Sequence, residues 1–471
     1  MQTYRYEIFT SIIENKIKKG ILKPGTRLPS VREIKADYHL SISSIQSGYD
    51  LLVIKGLVKN VPRSGYYVAS DVHQSISEPL LEPYAVAKNG AFNKNIALTS
   101  VRNKPSEYSS FNAATPTDLL IPQKLILRKM QEVIREKGAS LLRYYPSNGL
   151  PELRSQIADR ALQYGCRFNP EELIITDGAL QALYIALASV TNAGDLIAVE
   201  SPCVFSVLEV ITNLKLKVLE IPIHGEDGFD TEYLKKVSAA NDIKALVVTP
   251  NFHNPTGRLM TDNTKKELLS IAMDHQFPII ENDLYGDLYF GDERPSSIRN
   301  FDEYGWVMTF SSFSKTLAPG IRLGWLHSGR YHAKAERLRF SLGRSVAPIY
   351  QELLLKLLED HSYSKHLRSF RKQLYDQARD VLQALRTSFP EGSYFEDPQG
   401  GYSIWGSLSK AVDMKMFYRY CDDQRILFTP GEIFSLTDQF SHHFRIVFAD
   451  RITSHSLISL KNAGEKVKEL L

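Results

Sequence analysis

The pattern of hydrophobic and polar positions changes twice along the chain. In residues 1–70, apolar side chains recur at helical spacing in three short segments and then alternate in two short runs. From about residue 100, near-continuous apolar runs alternate with helical segments, and long charged helices follow Ala347. Residues 71–99 have no clear period and are predicted to be a linker. The pattern therefore predicts a small domain, a linker and a large domain over residues 100–471.

The small domain is predicted to contain three helices and a hairpin. Ser30 is placed to cap the second helix, and Glu33 completes a capping box with it. Ser41 is placed to cap the third helix. Two alternating strands follow around a turn, at residues 57–61 and 66–69. Three short helices and a β-ribbon predict a winged helix-turn-helix.

Five apolar runs in the large domain are predicted to be strands. They lie at residues 173–176, 196–200, 245–250, 277–283 and from Met308 to Ser312. Near-continuous apolar strands separated by helices are typical of a mostly parallel sheet covered on both faces. The fold class is therefore α/β, with a small α/β subdomain at the C-terminal end. Each run ends in polar or glycine-rich residues, so the five strand ends are expected to meet at one edge of the sheet.

Composition narrows the class of protein. The 471 residues are 43% hydrophobic and 23% charged, which is ordinary for a globular protein. The N-terminus lacks the continuous apolar core of a signal peptide, and no apolar stretch is long enough to span a membrane. Three cysteines, few and far apart, indicate a reducing cytosol and argue against a disulfide framework or a zinc site. We therefore expect a cytoplasmic protein without a metal.

The charge is distributed unevenly. Residues 1–70 carry 11 basic and 5 acidic side chains, whereas the rest of the chain has two more acidic than basic ones. A basic small domain beside a nearly neutral large one indicates a head that binds a polyanion, although a merely soluble basic surface would have the same charge.

Lys315 is the strongest candidate for chemistry. It follows a predicted buried strand, is flanked by hydroxyl groups, and has Arg322 seven residues on. A lysine desolvated at a strand end can act as an amine nucleophile toward a carbonyl, and Ser312 and Arg322 suit an anion such as a phosphate. Ser312-Phe-Ser-Lys315 also matches the S-x-x-K pattern of serine acyl-transfer enzymes. Those enzymes also need S-D-N and K-T-G, and the chain contains neither.

Two other strand ends carry complementary groups. Gly178 and Ala179 open a helix after a strand, so free backbone N–H groups and the positive end of the helix dipole form an anion seat. Asp283 ends an apolar strand, where a carboxylate is costly unless it meets a cation such as a protonated pyridine nitrogen. Tyr285, two residues on, could donate to a phenolate oxygen.

Four motifs run through the small domain: Leu28-Pro-Ser-Val-Arg-Glu33, Tyr38-His-Leu-Ser-Ile-Ser-Ser-Ile45, Lys55-Gly-Leu-Val58 and Ser64-Gly-Tyr-Tyr-Val68. Together they resemble the GntR-type DNA-binding domain. The resemblance implies that the third helix enters the major groove of double-stranded DNA and that the wing touches its backbone. It assigns DNA contacts to Arg32, Ser41, Ser43, Ser44, Arg63 and Gly65. Where the family commonly has an arginine after the capping serine, this chain has Ile42, which cannot donate a hydrogen bond to DNA.

Five motifs mark the large domain: Tyr144 with Gly149-Leu-Pro-Glu-Leu-Arg154, Asn254-Pro-Thr-Gly257, Asp283-Leu-Tyr285, Ser312-Phe-Ser-Lys315 and Pro319-Gly-Ile-Arg322. They resemble the aminotransferase class I/II domain, which binds pyridoxal 5′-phosphate, over roughly residues 110–465. The resemblance implies an aldimine on Lys315, with Asp283 on the pyridinium nitrogen and Asn254 and Tyr285 on the ring's 3-oxygen. It assigns the phosphate to Gly178, Ala179, Ser312 and Arg322.

The same resemblance implies three further roles. Arg445 matches the arginine that grips the α-carboxylate of the ligand, and Tyr144 is expected near the phosphate across a dimer interface. The family usually has a ring-stacking aromatic residue where this chain has Val204. Phe205, one residue later, is expected to stack on the ring instead.

A GntR-type head joined to an aminotransferase-like body is the arrangement of the MocR subfamily of regulators. This resemblance implies a transcriptional regulator that senses an amino acid or amine when the ligand replaces Lys315 in the aldimine. It also implies a homodimer with domains swapped head to tail. An alternative is a working aminotransferase with an accessory head, because the catalytic groups Lys315, Asp283 and Tyr285 are all present. A head used only for dimer contacts is a further alternative.

Overall fold

The computed structural model contains two compact units, Met1–Leu80 and Leu81–Leu471. The predicted linker lies outside the described residues, apart from Lys88 and Asn89. The residues that the structure describes are 10, 12–14, 16–17, 21–23, 25–38, 40–54, 57–61, 64–68, 88–89, 108–117, 120–223, 228–436 and 439–471.

The small unit has the helices and the hairpin that its pattern predicts. Residues 10, 12–14 and 16–17 are helical, and the elements that follow are α1 (Val31–Tyr38), α2 (Ile42–Ile54), β1 (Val58–Val61) and β2 (Gly65–Val68). The backbone N–H of Glu33 donates to Ser30 Oγ at 3.3 Å, and the N–H of Ser30 donates to Glu33 Oε2 at 2.6 Å, so the predicted capping box is confirmed. The two strands pair antiparallel.

One small core holds this unit together. Apolar side chains from each helix and from both strands meet in it, among them Ile13, Ile34, Ile45, Leu52 and Val68. Burial of these side chains against each other stabilises helices that would be too short to persist alone in water.

An eight-stranded sheet forms the centre of the large unit. The strands of this unit are β3 (Lys88–Asn89), β4 (Ser109–Ser110), β5 (Leu173–Thr176), β6 (Leu196–Ser201), β7 (Lys217–Pro222), β8 (Ile243–Val248), β9 (Ile279–Asn282), β10 (Val307–Ser312), β11 (Gly324–His327), β12 (Tyr394–Phe395), β13 (Ser403–Ser407), β14 (Ile426–Leu427), β15 (Thr429–Pro430) and β16 (His443–Val447). The order in the sheet is β3-β7-β6-β8-β9-β10-β11-β5. The five strands from β7 to β10 are parallel, whereas β3 and β11 run antiparallel to their neighbours.

Helices cover both faces of the large sheet. The helices of this unit are α3 (Gln123–Lys137), α4 (Pro151–Leu162), α5 (Ala179–Val190), α6 (Phe205–Asn213), α7 (Thr231–Ala240), α8 (Asp262–Asp274), α9 (His332–Ser341), α10 (Pro348–Glu359), α11 (Ser362–Ser388), α12 (Met414–Asp423) and α13 (Ser454–Glu469). Helices α5, α6 and α9 pack on one face, and α7 and α8 pack on the other. The predicted α/β class, with a mostly parallel sheet between helices, is confirmed.

The predicted strands form, with shifted ends. Pro250 follows the end of β8 and Pro278 precedes the start of β9, because proline has no N–H for the strand ladder. The predicted C-terminal subdomain forms a second sheet in the order β12-β13-β16-β15. Within the described ranges, no helix combines the length and the apolar character needed to cross a membrane. Those ranges also contain no cluster of histidine, cysteine and acidic side chains fit for a metal ion.

Candidate functional site

A cavity of about 310 Å³ lies where strands β9 and β10 end and helices α5 and α6 begin. We call it the site cavity. Six of the predicted residues line it: Ala179, Phe205, Asn254, Tyr285, Lys315 and Arg445. They come from distant parts of the chain, and the volume is that of a small-molecule pocket.

Lys315 lies in the turn after strand β10. Its Nζ donates a hydrogen bond to the backbone oxygen of Ala114 at 2.6 Å, and the hydroxyl of Tyr402 donates to the backbone oxygen of Lys315. Burial, followed by the charges of Arg445 and Arg322, lowers the pKa of Lys315 to about 8. A larger share of this amine is therefore unprotonated at neutral pH than in an ordinary lysine, which makes it a better nucleophile.

A chain of hydrogen bonds joins three polar side chains of the cavity wall. Arg445 Nη1 donates to Asn254 Oδ1 at 2.9 Å, and Asn254 Nδ2 donates to the hydroxyl oxygen of Tyr285 at 3.5 Å. Burial raises the pKa of Tyr285 to about 12, so this hydroxyl keeps its proton at neutral pH. Asn254 and Tyr285 can thus present donors side by side to one anionic oxygen.

Arg445 is a buried cation for which the described part of the chain provides no counter-ion. Its side chain is 2% exposed, and its Nη2 donates to the backbone oxygen of Asn112 at 2.7 Å and to Thr429 Oγ1 at 3.2 Å. Among the described residues, no carboxylate forms an ion pair with it, and its Nε has no hydrogen-bond partner. Burial lowers the pKa of Arg445 to about 10. A ligand carboxylate would supply the missing negative charge.

Three of the four predicted phosphate residues, Gly178, Ala179 and Arg322, meet at the start of helix α5. Gly178 precedes this helix with a φ of 95°, and a Cβ added to it would lie 3.1 Å from Arg322 Nη2. Strand β11 lies between β5, which leads to Gly178, and β10, which ends at Ser312, and Arg322 precedes β11. Glycine is needed here because of both its backbone conformation and this close approach. A helix start beside a guanidinium is an arrangement that can bind an anion, and we call it the anion seat.

The structure corrects the expected position of Asp283. This residue does not line the site cavity, and its carboxylate pairs with Arg294 on the other side of strand β9. Arg294 Nε also donates to Asp287 Oδ1 at 3.0 Å, and Arg160 Nη2 donates to Asp287 Oδ2 at 3.0 Å. We call Arg160, Asp283, Asp287 and Arg294 the paired cluster. Burial raises the pKa of Asp283, and the charge of Arg294 opposes this rise. Asn282, the last residue of β9, occupies the cavity wall instead.

The two aromatic residues predicted to contact the cofactor, Phe205 and Tyr144, lie in different places. Phe205 lies in the cavity wall next to Val204, with its ring 6.1 Å from that of Phe434 in an edge-on arrangement. Tyr144 lies away from the cavity lining and is 75% exposed, with Arg344 over its ring at 5.4 Å. The stacking role of Phe205 and the phosphate role of Tyr144 stay predictions.

The DNA-contact residues are described only in part. The N–H of Ser44 donates to Ser41 Oγ at 3.1 Å, which confirms Ser41 as the cap of α2. Ile42 is 51% exposed at the start of this helix. Gly65 begins strand β2, and a Cβ added to it would lie 3.8 Å from Arg27 Nε. Arg27 is exposed, so it is a basic side chain beside the wing that sequence reasoning missed. The side chains of Arg32 and Ser43, and all of Arg63, lie outside the described part of the chain.

Sequence reasoning also missed three residues of the cavity region. Asn112 and Thr429 hold Arg445 from distant segments, and Asn282 stands one position before the predicted acid. No local signal marked Asn112 or Thr429. Asn282 was detectable, because side chains alternate along a strand and only one of two neighbours can face the cavity.

Comparisons with known proteins agree with this architecture. Residues 114–455 match the family Aminotransferase class I and II, and residues 6–68 match the gntR family of bacterial regulatory proteins. The chain is 31% identical over 465 residues to YjiR, an HTH-type transcriptional regulator of Escherichia coli K12, with 98% of each chain covered.

Two solved structures resemble the large unit. One is a kynurenine aminotransferase of Pyrococcus horikoshii, 26% identical, with a TM-score of 0.73 over 78% of this chain and 92% of that one. The other is LysN, an α-aminoadipate aminotransferase of Thermus thermophilus complexed with N-(5′-phosphopyridoxyl)-L-leucine. It is 27% identical, with a TM-score of 0.71 over 78% of this chain and 93% of that one.

Proposed function

The chain belongs to the bacterial regulators that join a GntR-type DNA-binding domain to an aminotransferase class I and II domain, and on that premise we propose that it senses an amino acid through pyridoxal phosphate held at Lys315. The small unit binds operator DNA. The large unit binds the cofactor and the amino compound.

The residues of the site cavity fit pyridoxal phosphate. Lys315 offers a partly deprotonated amine, and the seat formed by Gly178, Ala179, Ser312 and Arg322 offers a place for a phosphate. When bound, the cofactor supplies an aldehyde that can exchange between the amine of a lysine and the amine of a ligand. Asn254 and Tyr285 would donate to the ring's 3-oxygen, and Phe205 would cover one ring face.

The observation that carries the proposal is the guanidinium of Arg445, which forms no ion pair with any carboxylate of the described residues. A buried cation without a carboxylate partner destabilises the ligand-free protein, and a role in ligand binding would explain why it is present. Arg445 lines the same cavity as Lys315, so one ligand could place an amine at Lys315 and a carboxylate at Arg445. An α-amino acid has both groups on one carbon atom. The guanidinium can bind its carboxylate with two parallel hydrogen bonds.

We further propose a cytoplasmic homodimer with domains swapped head to tail. Tyr144 and Leu142 are 75% and 89% exposed. A second chain would cover these large side chains, and Tyr144 would then reach the partner's phosphate seat. Ligand binding would change how two heads are presented to the DNA.

Replacing Lys315 by alanine tests the proposal. We expect Lys315→Ala to lose the visible absorption band of the protein loaded with pyridoxal phosphate. We also expect its binding to DNA from upstream of its own gene to stop responding to a mixture of amino acids. Lys265→Met is the matched control, because Lys265 is also a buried lysine with a lowered pKa but contacts Ser296 outside the cavity. A response to amino acids that persists in Lys315→Ala would refute the proposal.

Catalytic transamination is the second candidate. The lysine, the tyrosine and the carboxylate-binding arginine in one cavity would serve an enzyme as well as a sensor. Steady turnover of amino acids with 2-oxoglutarate at 1 s⁻¹ or more, the order of magnitude of ordinary enzymes, would favour catalysis. Slow single half-reactions, together with salt-dependent binding to DNA, would favour the regulator.

A further inference from the structure

Two neighbouring polar residues with opposite orientations mark the end of strand β9, since Asn282 is its last residue and Asp283 follows it. Asn282 lines the site cavity together with Tyr285 and Lys315. Asp283 belongs to the paired cluster, where its carboxylate forms an ion pair with Arg294. Successive side chains of a strand point to opposite sides of a sheet, so both residues cannot face the cavity together.

Neighbouring side chains and backbone hold the carboxylate of Asp283 in its orientation. Arg294 lies against the ring of Tyr164 at 3.7 Å, so the cation that binds the carboxylate is itself held. The other oxygen, Oδ1, has no hydrogen bond within the described chain, but it packs against Gly286. A Cβ added to Gly286 would lie 2.2 Å from this oxygen. The close packing leaves no path for the carboxylate to turn toward the cavity without breaking a buried ion pair.

The hydrogen bonds of Asn282 define the orientation of its amide. The backbone N–H of Leu284 donates to Oδ1 at 3.2 Å, and a backbone N–H can only donate, so the oxygen is the atom on that side. Nδ2 donates to Thr249 Oγ1 at 3.3 Å. An amide nitrogen has two hydrogens, and one therefore remains for an acceptor in the cavity. The side chain is only 5% exposed.

The chemistry of the cofactor determines which of its atoms would meet Asn282. In pyridoxal phosphate, the aldehyde carbon and the ring nitrogen occupy opposite positions of the ring. The 3-oxygen and the phosphate arm flank the aldehyde. Anchors at Lys315, at Asn254 with Tyr285, and at the anion seat would therefore turn the ring nitrogen away from Lys315, toward the end of strand β9, where Asn282 lines the cavity.

We propose that Asn282, and not Asp283, contacts the ring nitrogen of pyridoxal phosphate as a neutral hydrogen-bond donor, so that this nitrogen stays unprotonated. The inference rests on the proposed cofactor site at Lys315 and specifies its chemistry. A carboxylate at this position would stabilise a protonated ring, whereas an amide N–H donates to the lone pair of an unprotonated one.

The neutral contact has a consequence for function. A protonated ring withdraws electrons from a bound amino compound and so eases removal of the proton from its α-carbon. With an unprotonated ring, this proton is lost more slowly. The site would then hold an amino acid at Lys315 and Arg445 without rapidly converting it, as a sensor requires.

The ¹⁵N NMR shift of the ring nitrogen tests the assignment directly. The full-length protein is loaded with ¹⁵N-labelled pyridoxal phosphate, and the shift is recorded between pH 6 and pH 9. We expect an unprotonated pyridine in the natural protein. Asn282→Asp should bring the shift to that of a protonated ring, and Asp283→Asn should leave it unprotonated. Asn282→Asp should also speed the half-reaction with an amino acid by about tenfold or more, since a more strongly electron-withdrawing ring lowers the barrier.

Each result has one meaning. A protonated ring in the natural protein would overturn the inference, and that measurement needs no variant. An unprotonated ring in cofactor-loaded Asn282→Asp would overturn it as well. A natural protein that takes up no cofactor at all, with no visible absorption band, would defeat the proposed function itself rather than this assignment.

Discussion

Two groups of charges lie on opposite sides of strand β9, and they compensate the cost of removing a charge from water differently. In the paired cluster, two arginines and two aspartates satisfy each other through ion pairs. In the site cavity, Arg445 is 2% exposed, and its hydrogen-bond partners among the described residues are amide, hydroxyl and backbone groups. The charges of the first group balance each other within the protein, and we propose that a ligand carboxylate balances the second. The difference indicates which charges are structural and which recognise something else.

The largest effect should come from removing one arginine from each group. Arg294→Met leaves a buried carboxylate unpaired and should lower the free energy of unfolding by about 3–5 kcal/mol. Arg445→Met removes an unpaired charge and should leave the ligand-free protein within about 1 kcal/mol of its original stability, or make it more stable. All three tryptophans, Trp306, Trp325 and Trp405, lie in the large unit, so their fluorescence during denaturation reports on it alone.

For ligand affinity, in contrast to stability, the larger effect should come from Arg445→Met. Arg445→Met should weaken the binding of an amino acid to the cofactor-loaded protein by about thirtyfold or more, because a buried charge-assisted contact is lost. The corresponding decarboxylated amine is the matched ligand control and should bind both proteins alike. Equal losses of stability in the two arginine variants would remove the basis of the comparison.

A smaller effect is expected in the pH dependence of cofactor uptake. The unprotonated amine is the nucleophile, and the pKa of Lys315 is lowered to about 8. Between pH 7 and 8 the rate of covalent uptake should therefore rise with pH, and it should level off above pH 8. An ordinary lysine would give a rate that still rises near pH 10. The rate is measured by stopped-flow absorbance.

Arg445 connects this pH profile to the comparison of charges. Its positive charge helps to lower the pKa of Lys315, so Arg445→Met should move the inflection to higher pH. Arg294→Met serves as the control, because Arg294 does not contribute to the shift of Lys315. A profile that keeps rising through pH 10 in the natural protein would contradict the lowered pKa.

The smallest effect on stability is expected for a charge added at the exposed surface of the small unit. Ile42→Arg at the exposed start of α2 should change the stability of the small unit by no more than about 0.5 kcal/mol. A new phosphate contact should make the slope of log affinity against log salt concentration steeper by about 0.9. Ile42→Gln controls for polarity without charge and should leave the slope unchanged. An unaltered slope in Ile42→Arg would place this helix end away from the DNA backbone.

The sequence alone determined the elements and the chemical types of the site. Alternation and helical spacing depend on neighbouring residues, so they gave the three helices and hairpin of the head and the buried strands of the body. The capping box of Ser30 and Glu33 is equally local. Lys315, Asn254 and Tyr285 could be selected because their motifs are short and lie at strand ends.

Only the tertiary structure decided which charges are paired. Asp283 was the better match to a pyridinium by residue type, but its partner Arg294 lies eleven residues on, and nothing in the local pattern shows that contact. Arg445 meets Asn112 and Asn254 from distant segments, so its lack of a carboxylate also becomes visible only after folding. The energy of a buried charge depends on every group that packing brings to it, and packing joins residues that are far apart in the chain.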